Sequence, residues 1–506
     1  MKWTTVLLLI ICLCCSVNAQ EKKMTSDPAP GYTTITENDL MESVRFFSSK
    51  ECAGRLSGHP GYDTAAAYVV RKFRDLDLKL LVNGSYFQPL TLEYNEILPP
   101  VHLRLVDVIP QMGKFVGREY KLGKDYVCRG MSGSGTVTGQ AVFCGYGLSQ
   151  PEDGYDDYAG IDVSGKIVIA FKPNPTWKLN DTSGWSDGYP RDKARTAAKH
   201  GAVALIIVSP PNQPNPQKAI ISVLEGKSEQ DQNFPQLHAE IPVIDEWLRW
   251  PGSGHTLSKV QSIIDSTKKT FSVPLNVVVN VEVHSRYVRE QPTMNVIGWM
   301  EGSDPVLKDE YVIIGAHLDH VGSQAGEVYA PGANDDASGS AAVLEIAEAF
   351  IKSGQKPKRS VVFILFASEE LGLYGSSYFV ENPLVPLEKV SAMINLDCIG
   401  YGDSIQVGNG LSSPQLWNIA RMQDSLYTRQ MVTQTWSGGG ADAGPFHGKG
   451  IPALYFVTTN SYGHLHLPSD TPETLNKPLF ESITRLAYIT AYQVANGNYN
   501  REMVVK

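Results

Sequence analysis

Near-continuous apolar runs alternate with segments of helical spacing from about residue 290 onward. The apolar runs are residues 294–300, 311–316, 361–367, 392–396 and 453–457. Such runs are typical of strands that are buried on both faces of a sheet. The segments with helical spacing are residues 338–351, 414–422 and 478–495. This alternation predicts an α/β fold with a mostly parallel central sheet flanked by helices.

Metal-binding side chains follow three of these runs. His317 and Asp397 come directly after the second and fourth runs, and the third run leads to the adjacent pair Glu369 and Glu370. In open α/β sheets, sites form outside the carboxyl ends of the strands, so these side chains are expected to meet at one edge. Two carboxylates at the end of an apolar strand are costly unless a cation or a proton is near. Imidazole and carboxylate groups without cysteine suit hydrolytic zinc.

A further pair of acids, Asp335 and Asp336, precedes the predicted helix at residues 338–351. Asp335 can bridge two metal ions, whereas Asp336 or Ser338 can instead cap the start of the helix. Each motif alone has an ordinary explanation, because acids also favour helix starts and an aspartate after a strand can cap a turn. The set of motifs, taken together, favours a metal site.

Two zinc ions account for these side chains if each takes about three protein ligands and keeps one position open for water. The predicted ligands of the first ion are His317, Asp335 and Asp397. The predicted ligands of the second are Asp335, Glu370 and one histidine, either His464 or His466. Paired metals activate one water, which leaves Glu369 as the general base that later protonates the leaving amine. His320 and His447 are interpreted as lying outside the site.

The order of the motifs resembles peptidase family M28, a family of zinc-dependent exopeptidases. The motifs are His-x-Asp (317–319), Asn-Asp-Asp (334–336), Glu-Glu (369–370), Asp397 and a histidine before Ser-Asp-Thr (469–471). The sequence GRLSGHPG at residues 54–61 belongs to the same resemblance. The likeness covers about residues 290–500 and the N-terminal helical stretch, and it implies a fold of the zinc exopeptidase type.

The resemblance also implies roles for individual residues. Asp335 matches the aspartate that bridges the two zinc ions, and Glu369 matches the base. His466, rather than His464, is the expected ligand because it lies four residues before Asp-Thr, and Asp319 matches the acid that orients the histidine ligand. Ala443 replaces a histidine of the family in the segment that shapes the substrate pocket, so the side-chain preference is left open.

The pattern differs between residues 125 and 288. Short β-type runs, one helical stretch and loops rich in glycine and proline predict a separate α+β domain there. Residues 155–172 and 199–210 resemble a protease-associated (PA) domain, a type of insert that covers an active site or shapes access to it. The predicted division is residues 20–124 for the N-terminal part of the peptidase domain, 125–288 for the PA-like insert and 289–506 for the catalytic domain.

The first nineteen residues are predicted to be a cleaved signal peptide. Lys2 is followed by an apolar stretch at residues 6–15 and then by small residues at 17–19. The apolar stretch is too short to span a bilayer. The mature protein is therefore expected to be secreted or periplasmic, without stable membrane insertion. Of the cysteines that remain, Cys128 and Cys144 are candidates for a disulfide, and Cys398 is expected to be a buried thiol.

The overall composition excludes few classes. A net charge of −9, with 42% hydrophobic and 19% charged residues, is ordinary for a globular protein and argues against binding to nucleic acid.

The expected activity is that of a di-zinc aminopeptidase acting on peptides, and the protein is expected to be a monomer. The alternatives are a glutamate-releasing carboxypeptidase, a single-zinc glutaminyl cyclase and a binding protein on an inactive peptidase scaffold.

Overall fold

The computed structural model describes residues 29–81, 84–108, 117–179, 184–185, 190–224, 230–249 and 254–505. The predicted signal peptide, residues 1–19, lies outside the described residues. Within the described part of the chain, each helix is too short or too polar to cross a membrane.

Ten α-helices occur in the described residues. They are α1 (Glu37–Phe47), α2 (Pro60–Asp75), α3 (Pro190–Lys199), α4 (Ile241–Arg249), α5 (Leu257–Thr267), α6 (Gly339–Lys352), α7 (Tyr374–Glu381), α8 (Pro414–Gln423), α9 (Ala443–Gly448) and α10 (Lys477–Ala495). Helices α6, α8 and α10 lie where helical spacing predicted them. The Thr36 side chain caps α1 by accepting the Asp39 N–H, as serine and threonine commonly do at a helix start.

Eighteen strands occur in the described residues, and those in the second half of the chain alternate with helices. They are β1 (Lys79–Leu80), β2 (Phe87–Val108), β3 (Arg118–Tyr120), β4 (Tyr126–Cys128), β5 (Gly135–Cys144), β6 (Ser149–Gln150), β7 (Tyr155–Asp156), β8 (Ile167–Phe171), β9 (Ala204–Val208), β10 (Gln236–Ala239), β11 (Ser272–Met300), β12 (Tyr311–His317), β13 (Ser323–Gln324), β14 (Val328–Tyr329), β15 (Ser360–Phe366), β16 (Val390–Leu396), β17 (Ile405–Gly408) and β18 (Ala453–Thr458).

The central sheet of the C-terminal half runs in the order β17-β18-β16-β12-β15-β11. Strands β18, β16, β12 and β15 are parallel to one another, whereas β17 and β11 add antiparallel at the two ends. Neighbouring residues of β12 point to opposite faces, with Ile314 in the cluster under α6 and α10 and Ile313 in the cluster under α7 and α9. Both faces are covered, which explains the apolar runs and confirms the predicted α/β class.

Two long strands connect this sheet with the inserted region. β2 and β11 pair antiparallel from Phe87 opposite Val296 to Val108 opposite Val277. On its other edge the outer half of β11 pairs with β5, and from there the sheet continues through the parallel strands β8, β9 and β10 to β4. The predicted division at residues 288 and 289 falls inside β11, so the chain returns from the insert along a strand.

The predicted pairing of Cys128 with Cys144 is wrong. Both cysteines are buried free thiols, because Cys128 lies on β4 and Cys144 on β5, and three strands separate β4 from β5 in the sheet. Cys398 is a buried thiol, as predicted. Among the described residues, the cysteines therefore contribute to packing rather than to cross-linking.

Glu345 is a buried acid in the middle of α6. Burial, with the carboxylates of Glu348 and Asp39, raises the pKa of Glu345 to about 8. Because this folded-state pKa lies above the ordinary value, the protonated acid stabilises the fold at low pH, and that contribution is lost as pH rises through about 8. Glu345→Gln is therefore expected to raise the free energy of unfolding at pH 9 by about 2–4 kcal/mol.

Urea unfolding at pH 5 and pH 9 checks this prediction. The variant and the wild type are expected to differ little at pH 5, where the acid is already neutral. The exposed Glu388→Gln serves as the control for a change of net charge alone. An equal gain at both pH values would contradict the assignment to titration of Glu345.

Candidate metal centre

The predicted ligands meet at one edge of the central sheet. His317 is the last residue of β12, Asp397 directly follows β16, and the pair at residues 369–370 follows β15 after two residues. β12 lies between β15 and β16 and is parallel to both, so the carboxyl ends of all three strands fall together. A separate segment, Ala333–Ser338, brings Asp335 to the same place from just before α6, with non-helical backbone angles at Asp335 and Asp336.

Asp335 stands between two histidines. Its Oδ1 lies 3.2 Å from His317 Nε2, and its Oδ2 lies 3.3 Å from His466 Nε2. Asp397 Oδ1 is 3.7 Å from the same atom of His317, and Glu370 Oε2 is 2.9 Å from the same atom of His466. The two oxygens of Asp335 thus face two different groups of ligand atoms, as a bridging carboxylate does.

The ring of His317 is set up to receive a cation. Its Nδ1 lies 3.1 Å from the backbone carbonyl oxygen of Asp319, so in the neutral ring this nitrogen carries the proton. The Nε2 lone pair then points at the oxygens of Asp335 and Asp397, which are also acceptors. A positive ion between them resolves this conflict, and nitrogen with carboxylate oxygen is a donor set that zinc accepts.

His320, interpreted from the sequence as a bystander, lies in the site. It is fully buried, and its Nδ1 is 2.7 Å from Glu370 Oε1 and 3.8 Å from Asp335 Oδ2. Potential ligand atoms of His320, Asp335, Glu370 and His466 all lie within 4.8 Å of one another. The interpretation failed because His320 is in a loop after β12, where its direction depends on the contact with Glu370, fifty residues later.

Two buried aspartates accept hydrogen bonds from the backbone of the loops that carry the predicted ligands. Asp319 accepts the backbone N–H groups of Glu369 and Glu370 at 3.1 and 3.4 Å, and its carboxylate lies 3.7 Å from His317 Nδ1. Asp470 accepts the backbone N–H of Asp335 at 3.1 Å. The sequence predicted Asp319 as the acid behind His317, but its bonds to the two glutamates were missed, as was the role of Asp470.

Asp336 has a structural role, as one of the two sequence interpretations proposed. Its Oδ1 accepts the N–H of Gly339 at 2.7 Å, at the start of α6, and the N–H of Cys398 at 3.3 Å. The Ser338 hydroxyl donates to the Asn334 carbonyl and accepts the N–H of Ile399. These bonds tie the Asp335 loop to the end of β16, and so set the distance between Asp335 and Asp397.

The buried acids and histidines of the site strongly shift one another's pKa values. Burial alone would raise the pKa of Glu370, but His466 and His320 lower it to about 2. Burial would lower the pKa of His466, yet Glu370 and Asp335 raise it well above its usual range. Glu369 differs, because burial and neighbouring acids raise its pKa well above the usual range of a carboxyl group. The site therefore contains acids that retain a proton readily, Glu369 among them, beside Glu370, which is held ionised.

The remaining candidates lie around this centre. His464 Nδ1 faces the Ser469 hydroxyl at 2.9 Å and its ring packs edge-on against Tyr401, so it does not share the carboxylates of His466. His447 lies near the end of the short helix α9. The Tyr455 hydroxyl donates to Asp397 Oδ2 at 3.3 Å, a contact that the sequence gave no reason to expect. Asp442 is fully buried, and burial raises its pKa to about 7.

The insert reaches the site through residues 219–224. The N–H of Ile221 donates to the carbonyl of His466 at 3.2 Å, and His466 itself has a positive φ of 56°. The side chains of Ile221 and Val223 pack in one cluster with Leu56 and Val321. Since Val321 follows directly after His320, the insert forms part of the wall around the ligands.

Comparisons with known sequences agree with this geometry. Residues 295–491 match the profile of Peptidase family M28, and residues 137–244 match that of the PA domain. A probable glutamate carboxypeptidase of Zea mays is 26% identical over 511 residues, which cover 87% of this chain and 64% of that protein. An aminopeptidase of Pseudomonas aeruginosa is 27% identical over 380 residues, covering 73% of this chain and 59% of the relative. The chain thus spans less than two thirds of either relative.

Solved structures share the fold over nearly the whole chain. A Peptidase M28 precursor from Shewanella amazonensis has a TM-score of 0.67 at 21% identity, covering 94% of this chain and 96% of its own. A zinc aminopeptidase from Bacillus subtilis has a TM-score of 0.64 at 18% identity, covering 93% of this chain and 98% of its own. At these identities the likeness shows the overall fold.

Proposed function

Because residues 295–491 belong to peptidase family M28 and residues 137–244 to the PA domain family, we propose that the protein is a secreted di-zinc aminopeptidase. It would hydrolyse the N-terminal bond of peptides. The observation that carries the proposal is the placement of the two Asp335 oxygens at 3.2 and 3.3 Å from two different histidines. One bridging carboxylate between two groups of ligands is the arrangement that a pair of metal ions needs.

Each ion has its own set of side chains in this proposal. The first ion would be held by His317, Asp335 and Asp397. The second would be held by Asp335, Glu370 and His466. Zinc at these positions would act as a Lewis acid on the scissile carbonyl and make water a stronger acid. His320 would keep Glu370 oriented through its 2.7 Å contact, as partners behind a metal ligand commonly do.

Glu369 is the proton carrier of the proposed reaction. Its backbone N–H is fixed by Asp319, so the side chain begins from a rigid base. In the metal-free site, burial raises the pKa of its carboxyl group well above the usual range, so this group holds a proton readily. The same carboxyl oxygen would then release the proton to the leaving amine.

A glutamate-releasing carboxypeptidase is the second candidate, favoured by the maize relative and by one cleft. An opening of about 530 Å³ beside residues 467–469 is lined by Lys124 and Lys218 as well as by Asp125 and Glu240. The two lysines supply positive charge for the terminal carboxylate of a substrate, but the lining includes none of the proposed metal ligands. The two acids in the same lining offset that charge, so the aminopeptidase remains the first candidate.

Metal analysis and a substrate panel test the proposal. The mature protein is expected to contain about two zinc ions per chain and to cleave aminoacyl-anilides with a free amine. Dipeptides with a blocked amine and a free carboxylate are expected to remain intact. Zinc with activity only on the blocked substrates would move the protein to the carboxypeptidase group, and neither zinc nor activity would contradict both.

Export and a monomeric state complete the proposal. The apolar stretch at residues 6–15 and the small residues at 17–19 support cleavage of a signal peptide before Gln20. Mass spectrometry of the protein recovered from the medium or the periplasm would show whether it begins at Gln20, and light scattering would give its mass in solution.

A further inference from the structure

The segment GRLSGHPG, residues 54–61, carries none of the proposed ligands, yet it lies directly against their loops. It connects α1 to α2, and its residues Arg55 and Ser57 are fully buried. A buried arginine in a short connection is unusual, because its charge and its five N–H groups must all be accommodated away from water. Its contacts therefore indicate what the segment does.

Arg55 binds four backbone carbonyls that belong to three parts of the chain. Its Nε donates to the carbonyl of Leu318 at 2.8 Å, between His317 and Asp319. Its two terminal nitrogens donate to the carbonyls of Pro331 and Gly332 at 2.8 and 2.9 Å, just before the Asp335 segment. One of them also donates to the carbonyl of Phe47 at the end of α1, at 2.7 Å. One rigid guanidinium thus joins the His317 loop to the Asp335 loop.

Further hydrogen bonds join the segment to the loop that carries Glu369 and Glu370, and again to the loop that follows His317. The Ser57 hydroxyl accepts the N–H of Ser368 at 2.9 Å, and Ser368 immediately precedes the Glu369–Glu370 pair. The backbone carbonyl of Arg55 accepts the N–H of His320 at 3.1 Å.

Gly54 shows how close the approach is. A Cβ at Gly54 would lie 2.3 Å from the carbonyl oxygen of Gly322, and its φ is +73°. The carbonyl of Gly54 accepts the N–H of Gly322 at 2.9 Å. Because both the space and the conformation favour glycine here, the backbone of the segment can lie against the loop that carries His317, Asp319 and His320.

We propose that Arg55 and Ser57 are positioning residues that fix the three ligand loops relative to one another, so that the two zinc sites are formed before metal binds. This inference rests on the proposed function. Asp335, Asp336 and Asp470 all act electrostatically on Arg55, so its positive charge also offsets repulsion among the buried acids. A preorganised site binds metal more tightly because the loops need not be ordered during binding.

Arg55→Lys is the first test. Lysine keeps the charge, but its single ammonium group cannot reproduce the planar fork that reaches carbonyls in different segments. The expected result is a loss of zinc affinity of about 10–100-fold, the range seen for groups that orient metal ligands. Competition with a chromogenic chelator measures this affinity, and circular dichroism with thermal melting of the zinc-free protein measures folding.

Arg359→Lys is the matched control. Arg359 is also almost fully buried, and it binds Glu310 and the carbonyl of Val494, but it precedes β15, at the opposite ends of the strands. It is expected to lower the melting temperature and leave the zinc affinity of the folded protein unchanged. If Arg55→Lys behaves in the same way, Arg55 has only a structural role and the proposal is wrong. If the wild type itself binds no zinc, the proposed function fails instead.

Ser57→Ala keeps the proposal testable if Arg55→Lys does not fold. The change removes the acceptor of the Ser368 N–H next to Glu369, and it is expected to lower kcat about tenfold with little change in KM. Ser57→Thr retains the hydroxyl and is expected to restore most of the activity. Ser43→Ala, which removes a buried hydroxyl that faces Tyr68, is the control. Unchanged kcat in folded Ser57→Ala would exclude the positioning role of Ser57.

Discussion

Glu369→Gln is expected to lower kcat by about 10²–10⁴-fold, the usual contribution of a general base, while zinc remains bound. Glutamine has nearly the same shape as glutamate, and its backbone N–H can still donate to Asp319. The amide cannot take a proton from water. The proposed ligands His317, Asp335, Asp397, Glu370 and His466 are all unchanged, so zinc content is expected to stay at the wild-type level.

Steady-state kinetics on an aminoacyl-anilide and zinc analysis of the same preparation check this prediction. Glu388→Gln, an exposed acid in the connection before β16, controls for the loss of one negative charge. A Glu369→Gln enzyme with near-normal kcat would remove Glu369 from the role of base. Loss of zinc together with activity would indicate that Glu369 is a ligand instead.

His466→Ala is expected to weaken zinc binding by more than about 100-fold, since even groups behind the ligands contribute about 10–100-fold. His466 Nε2 is the atom that faces both Asp335 and Glu370. Removing it would take away the nitrogen that faces Asp335 Oδ2 and Glu370 Oε2, so one zinc ion per chain is expected to be lost under mild chelation. The turnover that depends on the pair of ions should fall with it.

His464→Ala is the matched control in the same loop. His464 contacts Ser469 and Tyr401 rather than the acids, so zinc affinity is expected to remain close to that of the wild type. Isothermal titration of zinc into the two metal-free variants separates the outcomes. Loss of zinc from His464→Ala, with normal binding in His466→Ala, would reverse the assignment.

The sequence predicted that these side chains would lie together because they follow apolar strands, and the structure brings them to one edge of the sheet. The apolar run indicates that a strand is buried on both faces, and the alternation with helices indicates that neighbouring strands are parallel. Parallel strands have their carboxyl ends at the same edge of the sheet. His317, Glu370 and Asp397 depend on little else. Asp335 lies in an irregular segment before α6, with non-helical backbone angles, but its place in the Asn-Asp-Asp motif made it recognisable.

Other parts depend on contacts that a sequence does not display. The strand at residues 87–108 was not among the sequence predictions. Pro99 and Pro100 interrupt that stretch, and proline cannot donate a ladder hydrogen bond. In the structure both prolines fall where the register between β2 and β11 shifts, between the pairs Glu282–His102 and His284–Leu98. His320 was missed for a similar reason, because only the folded loop turns its ring toward Glu370.

The β2–β11 ribbon implies that the two parts of the protein unfold together. The chain passes between the central sheet and the insert along β2 and β11, whose backbone groups pair with each other. Unfolding of the insert therefore disrupts strands that also belong to the central sheet. Heating the zinc-free protein should therefore give a single cooperative transition, in which calorimetric and van't Hoff enthalpies agree. Mechanically, the insert is a continuation of the sheet, and whatever loosens its far end also loosens the frame around the metal ligands.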